Sequence, residues 1–292
     1  MSWLESLRHV WNHPMNARGR VAAASRVLRW QVASRLMRGP IALEFIEGRC
    51  LFATRGMTGA TGNWYCGLHE FEEMAFVLHL LRQGEHFADI GANVGSYTVL
   101  AAAGPGARVT SIEPVPSTFA HLMRNVVLNR LEGSVTCRQV GLSDAPGKVR
   151  FSAGLDTVNH VLEAGEDAPA VEVEVHRLDD VVAADVPVLM KIDVEGYELP
   201  VLRGGQRSLG DPRLLAIILE TNGSGRRYGF SDEALFAEMR RFGFAPHGYE
   251  PFRRKLLEAP PRGGNTIFIR DRPEVERRLT EARKFRVVNG EI

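Results

Sequence analysis

Four acidic side chains lie where short apolar segments end, and they are the main candidates for binding and catalysis in this chain. They are Asp89, Glu113, Asp193 and Glu220. Each ends or directly follows a run of residues typical of a buried strand. Because the carboxyl ends of parallel strands meet at one edge of a sheet, we expect these side chains to share one crevice. Carboxylates placed there can accept hydrogen bonds from a pair of hydroxyls or take a proton from a reacting group.

A glycine-rich turn follows the first of these segments, with Gly91, Asn93 and Gly95 at alternate positions. Glycine lets the backbone approach a ligand closely, and Glu113, 18 residues after Gly95, suits the ribose hydroxyls of a nucleoside. A dinucleotide site would have glycine in place of Asn93, and the carboxylate of Asp89 is unfavourable beside a pyrophosphate. S-adenosylmethionine carries a sulfonium and an ammonium and has no phosphate. The turn therefore favours S-adenosylmethionine, with a dinucleotide-dependent oxidoreductase as the alternative.

Taken in order, the motifs resemble those of the FkbM-type S-adenosylmethionine-dependent methyltransferases. The resemblance extends over about residues 65–270 and is carried by residues 89–98, 113–114, 141–144, 191–199 and 201–205. It implies a class I methyltransferase (Rossmann-like) α/β fold, with a seven-stranded, mostly parallel sheet, an antiparallel last strand and helices on both faces. It also implies O-methylation, often of a sugar hydroxyl. We therefore expect a hydroxyl-bearing small-molecule or glycan acceptor, such as a glycan, a glycolipid or a natural product.

Carried over position by position, the resemblance implies a set of cofactor-binding residues. They are Asp89, Gly91 and Gly95 at the methionine end, Asn93 in the same turn, Glu113 at the ribose, Leu142, Ser143 and Asp144 near the adenine, and Asp193 at the rim. Glu70 also matches the family pattern and would approach the cofactor; the structural alternative is an acid in the first turn of a helix. Its neighbour His69 departs from the tyrosine of that pattern, so no role follows for it.

Methyl transfer to a hydroxyl needs in-line placement of the reactants and a base within hydrogen-bond reach. Asp193, at a strand end in the crevice, is the first candidate for this catalytic role. Glu195 follows it and would either act beside it or cap the next helix. His160 lies in a polar stretch, residues 153–170, that we predict to be an acceptor loop. A near-neutral pKa suits histidine as a general base, although a loop histidine is often only solvent-exposed.

Glu220 has three interpretations. It would bind the acceptor, anchor a turn, or join Asp193 and Asn222 as oxygen ligands of Mg²⁺. The sequence does not favour the metal, and no metal ligand is assigned.

The elements that must position these residues alternate in type along the chain. Helical periodicity occurs at residues 70–83, 96–103, 117–130, 198–209, 231–242 and 273–284, and strand-like runs at 87–90, 108–112, 135–140, 188–192, 214–220 and 266–269. Such alternation with short links is typical of a parallel sheet covered on both faces. We predict an N-terminal basic helical arm and β-hairpin over residues 1–64, and a methyltransferase domain over 65–292.

Composition excludes several classes of protein. The chain has 292 residues, 45% hydrophobic and 24% charged, which fits a globular protein and not a disordered or fibrous one. It has no apolar run long enough to span a membrane and no secretory-signal pattern at its N-terminus. Its three cysteines are too widely spaced for a disulfide framework or a zinc site. We therefore expect a cytoplasmic protein; the sequence does not indicate an oligomeric state.

The net charge of +1 hides an asymmetry. Residues 1–40 hold seven arginines and one acid, a net charge of +6, which leaves −5 for the remainder. A basic arm would contact an anionic partner or form a solvated helix. A nucleic-acid methyltransferase is thus a second alternative, but no RNA-binding module is recognisable and no nucleic-acid partner is expected.

The arginines of this arm also bear on membrane contact. Arg18, Arg26 and Arg29 would share one helix face, whereas Arg20, Arg35 and Arg38 point elsewhere. Because a membrane-surface helix keeps its basic residues in one band, this pattern disfavours a membrane helix and leaves peripheral contact as the lesser alternative.

Overall fold

The computed structural model describes residues 3–152, 160–162, 166, 169–182, 184–259 and 264–292. Its α-helices are α1 (Trp3–Asn12), α2 (Arg20–Leu36), α3 (Thr58–Cys66), α4 (Phe71–Leu80), α5 (Ser96–Ala103), α6 (Pro116–Leu128), α7 (Leu178–Val182), α8 (Glu198–Arg203), α9 (Gln206–Gly210), α10 (Asp232–Arg241) and α11 (Arg272–Glu281). Its strands are β1 (Ile41–Glu44), β2 (Cys50–Ala53), β3 (His86–Ile90), β4 (Arg108–Ile112), β5 (Val135–Arg138), β6 (Gly141–Ser143), β7 (Gly147–Ser152), β8 (Ala170–Arg177), β9 (Leu189–Ile192), β10 (Ala216–Glu220), β11 (Ala245–Glu250), β12 (Lys255–Leu257), β13 (Asn265–Ile269), β14 (Arg286–Val287) and β15 (Gly290–Glu291).

One eight-stranded sheet organises the molecule, in the spatial order β12-β11-β13-β10-β9-β3-β4-β5. From β5 to β10 neighbouring strands run parallel, and β13 then pairs antiparallel with both β10 and β11. The central strands are buried along their whole length because both faces are covered, as in β9, where every residue is buried. The expected mostly parallel sheet with an antiparallel last strand is confirmed. Seven of the eight strands form the expected sheet, and the short β12 adds an eighth strand at its edge.

Helices cover both faces of this sheet. One core contains Phe76 of α4, Leu100 of α5 and Leu122 of α6, and the other contains Leu202 of α8 and Met239 of α10. The predicted helix at 96–103 has the bounds of α5, and the other predicted helices shift by a few residues at their ends. Strand order and packing therefore bring the carboxyl ends of β4, β3, β9 and β10 side by side.

The predicted single helix over 198–209 is wrong in one respect, since the segment forms the two short helices α8 and α9. Gly204 and Gly205 separate them. A methyl group on Gly204 would lie 2.2 Å from the carbonyl oxygen of Ser143. The break therefore lets the chain pass close to the backbone of β6, a contact that helical periodicity does not reveal.

The N-terminal segment packs on the sheet domain through the predicted β1–β2 hairpin and the helices α1 to α3. The side chain of Asn125 in α6 accepts a hydrogen bond from the N–H of Phe52 at 2.7 Å and donates one to the carbonyl of Val94 at 2.7 Å. It thus links the hairpin to the glycine-rich turn. Helix α3 spans residue 64, where the sequence placed a domain boundary, and that boundary stays a prediction. Among the described residues, no helix has both the length and the apolar character needed to cross a bilayer.

Candidate active site

A cavity of about 310 Å³ opens at the carboxyl edge of the sheet. The residues named from the sequence that line it are Glu70, Asp89, Gly91, Asn93, Glu113, Leu142, Asp193, Glu195 and Glu220. Four others lie outside its described lining: Gly95, Ser143, Asp144 and His160. The topology therefore brings the predicted strand-end acids into one space.

The glycine-rich turn depends on a close backbone approach. Gly91 has a φ of +76°, and a methyl group there would lie 1.8 Å from the carbonyl oxygen of Asp193. Only glycine fits this position. Asn93 also has a positive φ, +49°, and its side-chain oxygen accepts a hydrogen bond from the N–H of Val94 at 2.7 Å. The turn thereby leaves backbone exposed to the cavity on one side and packs against the end of β9 on the other.

Glu113, directly after β4, is held by the backbone. Its carboxylate accepts the N–H of Asn93 at 3.0 Å and the N–H of Val115 at 2.9 Å, one on each oxygen. Burial raises the pKa of this side chain to about 7. Because a carboxylate has roughly four acceptor positions, each oxygen can still accept a hydroxyl. The side chain is therefore fixed in orientation and free to bind two neighbouring hydroxyl groups.

Lys191 is the functional residue that the sequence analysis missed. Its side chain is only 4% exposed; its Nζ lies 2.6 Å from Oδ2 of Asp193 and 4.7 Å from the centre of the Tyr97 ring. It is the register neighbour of Asp89 on the adjacent strand. Burial alone would lower the pKa of Lys191, but the carboxylates around it, Asp193 first, raise it above its ordinary value. The available signal was one charged residue within the apolar strand β9.

Two further acids face this lysine. Glu70 precedes α4 and makes no capping hydrogen bond; it accepts one from the hydroxyl of Tyr97 at 2.5 Å. Glu70 thus lies both at the N-terminus of α4 and in the wall of the cavity, so the structure is compatible with both predicted roles. Asp89 is buried and accepts a hydrogen bond from the hydroxyl of Thr98 at 2.6 Å. Burial raises the pKa of Asp89, and Lys191 opposes that shift.

The turn after β9 places a further acid, Glu195, in the cavity. Glu198, not Glu195, holds this turn, since its carboxylate accepts the N–H groups of Val194 and Gly196, each at 3.1 Å. Glu195 has a φ of +54° and turns into the cavity. Burial, and next the charge of Asp193, raise the pKa of Glu195 to about 7. The N-cap residue of α8 is Tyr197, which makes no side-chain capping hydrogen bond, so Glu195 does not cap this helix.

Glu220, at the end of β10, is the most basic of these carboxylates. Burial raises its pKa to about 9, with further contributions from Asp193 and Glu195. One oxygen accepts a hydrogen bond from the side-chain amide of Asn222 at 2.7 Å, and the other is buried without a partner. The raised pKa of Glu220 favours its protonated form at neutral pH, and in that form the carboxyl group has an O–H to donate into the cavity.

The three rim carboxylates approach the arrangement of an oxygen-ligand metal site. Oxygens of Asp193, Glu195 and Glu220 lie within 4.8 Å of one another. Asn222, the other predicted ligand, uses its carbonyl oxygen to accept the N–H of Ser224 at 2.8 Å. Because the ammonium of Lys191 already pairs with Asp193, it competes with a divalent cation at this place. We assign no metal ligands.

The predicted residues His160, Ser143 and Asp144 lie outside the described lining of the cavity. His160 is buried rather than solvent-exposed. Its ring Nε2 lies 3.0 Å from a carboxylate oxygen of Glu166, and its backbone N–H donates a hydrogen bond to Oγ of Ser152 at 2.9 Å. Most of the predicted acceptor loop at 153–170 lies outside the described residues. Ser143 donates to Asp144 at 3.2 Å, beneath the cavity wall formed by Leu142.

The mostly parallel sheet with one antiparallel strand is that of a class I methyltransferase fold. The acidic cavity lies at the carboxyl edge of this sheet. More narrowly, the chain belongs to the methyltransferase FkbM domain family, which it matches over residues 89–250. The matched span contains Asp89, Glu113, Lys191, Asp193 and Glu220. The resemblance inferred from the motifs is confirmed.

Three curated relatives each match between 40% and 49% of the chain. The hexuronic acid methyltransferase AglP of Haloferax volcanii is 29% identical over 123 residues, covering 41% of this chain and 50% of the relative. Methyltransferase 1 of Beauveria bassiana is 31% identical over 142 residues, covering 40% and 56%. The 31-O-demethyl-FK506 methyltransferase FkbM of Streptomyces tacrolimicus is 29% identical over 177 residues, covering 49% and 67%. This chain thus spans only about half to two thirds of the length of these relatives.

The raised pKa of Glu220 predicts how stability depends on pH. The folded chain keeps a proton that the unfolded chain releases near its ordinary pKa, so the free energy of unfolding falls as pH rises from about 5 towards 9. We expect Glu220→Gln to flatten this fall by about 1–3 kcal/mol between pH 6 and pH 8.5, measured by urea unfolding without cofactor. The exposed Glu132→Gln is the control, and an unaltered slope in Glu220→Gln would contradict the assignment.

Proposed function

We propose that this protein is an S-adenosylmethionine-dependent O-methyltransferase whose acceptor is a hydroxyl group, that of a sugar in a glycan, glycolipid or natural product. The observation that carries the proposal is the charge of the cavity. Among its described lining residues there are six acids, Glu70, Asp89, Glu113, Asp193, Glu195 and Glu220, and one lysine. Such a site favours a cationic ligand and disfavours a pyrophosphate.

The donor set fits S-adenosylmethionine. Glu113 is free to accept both ribose hydroxyls while its backbone contacts hold it in place. Gly91 lets the turn pack directly against the carbonyl oxygen of Asp193, which holds the turn at the wall of the cavity. Asp89, Glu70 and Asp193 would surround the ammonium and sulfonium groups together with Lys191. When bound, the cofactor supplies an electrophilic methyl group for in-line attack by the acceptor oxygen.

The pKa values support a division of roles among the rim acids. Asp193 is already paired with Lys191, whose Nζ lies 2.6 Å from its Oδ2. Its charge contributes to raising the pKa of Glu195 to about 7, the range in which a general base works best at neutral pH. We therefore assign proton removal from the acceptor hydroxyl to Glu195. Protonated Glu220 would donate a hydrogen bond to the acceptor, and Asp193 would keep Lys191 in position.

The acceptor class is supported by the cavity wall and by one relative. Tyr197 lines the cavity and packs edge-on against Tyr228, with ring centres 5.1 Å apart. An aromatic face beside hydrogen-bonding acids suits a ring that carries both C–H groups and hydroxyls. The Haloferax relative is named a hexuronic acid methyltransferase. The three free cysteines suit a reducing compartment, which supports the proposed cytoplasmic location.

Replacement of Glu113 tests the cofactor assignment. Glu113→Ala removes two charge-assisted hydrogen bonds, so we expect the affinity for S-adenosylmethionine to fall by roughly 100-fold in calorimetric titration. Glu132→Ala, at an exposed position, should bind as the wild type does. Unchanged affinity in a folded Glu113→Ala protein would overturn the ribose assignment.

Replacement of Glu195 tests the chemistry. In Glu195→Gln we expect kcat for transfer of labelled methyl groups to fall by about 10²–10⁴, with cofactor affinity retained and the acid limb of the kcat–pH profile lost. The acceptors would be glycan, lipid and metabolite extracts, with the methylated atom located by mass spectrometry. The exposed Glu174→Gln serves as the control. Wild-type turnover in Glu195→Gln would remove this residue as the base, and methylation of carbon or nitrogen alone would contradict O-methylation.

A further inference from the structure

Helix α2 has two apolar faces, and only one of them is covered. Ala23, Val27 and Trp30 are buried against the protein. The residues on the opposite face are exposed: Val21 (77%), Leu28 (65%), Val32 (51%) and Leu36 (77%). Their spacing of seven and four residues places them in one stripe along the helix. A contiguous stripe of four exposed apolar residues on a surface helix is typical of a binding surface.

Unpaired cations surround the stripe. Five arginines in and around the helix are exposed: Arg18, Arg20, Arg29, Arg35 and Arg38. Within the part of the chain that the structure describes, none of the five forms an ion pair. Residues 6–43 contain no acid. The stripe therefore lies in a field of one sign, which predicts an anionic partner.

The position of Arg26 bears on the pattern that disfavoured a membrane helix. The sequence groups Arg26 with Arg18 and Arg29 on one helix face, but in the structure Arg26 turns inward and donates hydrogen bonds to Asn16 at 3.0 Å and to the carbonyl of Tyr65 at 2.9 Å. At about 100° per residue, Arg29 and Arg35 lie on either side of the apolar stripe. An apolar band flanked by arginines is the arrangement of helices that lie in a bilayer surface.

We propose that the exposed face of α2, the stripe Val21–Leu28–Val32–Leu36 with its flanking arginines, binds the surface of an anionic phospholipid bilayer. Trp11 of the neighbouring α1 supports this orientation. Its ring is 45% exposed and lies 5.8 Å from the guanidinium of Arg20, so it presents an aromatic group and a cation at the same edge. Tryptophan is enriched at that depth of a membrane.

Other occupants fit this face less well. A second copy of the chain would bring two sets of unpaired arginines together, and like charges in an interface are unfavourable. A nucleic acid would neutralise the arginines but leave the apolar stripe in water. An anionic bilayer would both cover the apolar stripe and neutralise the arginines.

The position of this face links it to the catalytic cavity. A groove of about 850 Å³ beside α1 and α2 is lined by Leu28, Arg35 and Thr58 among others, and Thr58 also lines the active-site cavity. If the proposed function holds, an acceptor anchored in the bilayer would reach the cavity from this side. The binding surface itself does not depend on the reaction.

Vesicle flotation of the untagged full chain tests the proposal. We expect the protein to float with phosphatidylcholine vesicles that contain phosphatidylglycerol, to stay behind with pure phosphatidylcholine, and to be released as salt rises from about 0.1 M to about 0.5 M. Leu28→Ser with Leu36→Ser should weaken the binding at least tenfold. Arg29→Gln with Arg35→Gln should weaken it roughly 30-fold, at about 1 kcal/mol per arginine.

Helix α6 offers a matched control. Val127, 53% exposed, and Arg124 lie on its outer side, so Arg124→Gln with Val127→Ser should bind vesicles as the wild type does. Because all these positions are exposed, circular dichroism should be unchanged. The proposal is overturned if the wild type does not float at low salt, or if the stripe variant floats equally well. It is also overturned if sedimentation shows a stripe-dependent dimer that ignores vesicles. Flotation needs no turnover, so failure here would leave the proposed reaction standing.

Discussion

A buried ammonium at the centre of the sheet edge sets the character of the site. Lys191 is 4% exposed in an otherwise apolar strand, and a charge in that place is costly unless acids compensate it. Asp193 pairs with it directly, while Asp89 and Glu70 contribute through their charge. Because these acids are crowded and shielded from water, the outer carboxylates Glu195 and Glu220 have raised pKa values. One lysine thus offsets the charge of the acids nearest to it, while the pKa values of the outer acids Glu195 and Glu220 lie near or above neutral.

The backbone around this centre is equally constrained. Gly91 leaves no room for a side chain beside the carbonyl of Asp193, so the turn after β3 packs closely against the end of β9. Asn93 joins the same turn to Glu113, and Asn125 joins its far side to the N-terminal hairpin. The hydrogen bonds of Asn125 therefore connect the hairpin directly to the glycine-rich turn.

Much of this was predictable from the sequence because the signals are local. Apolar runs ending in acids gave the strands and their shared edge, and periodicity gave the helices that flank them. The role of Lys191 was not predictable in this way, since it depends on the register of β9 against β3, which places it beside Asp89. The burial of His160 depends on Ser152 and Glu166. Helix α3 was missed because its small residues show no helical periodicity, and the outward stripe of α2 was missed because arginines alone were weighed.

An acidic crevice that surrounds a buried lysine should bind a cationic nucleoside cofactor. Calorimetric titration of the purified chain with S-adenosylmethionine and, in parallel, with NAD tests this directly. We expect S-adenosylmethionine to bind with one molecule per chain and NAD to give no binding heat. Binding of NAD without binding of S-adenosylmethionine would contradict it and return the chain to the oxidoreductase alternative.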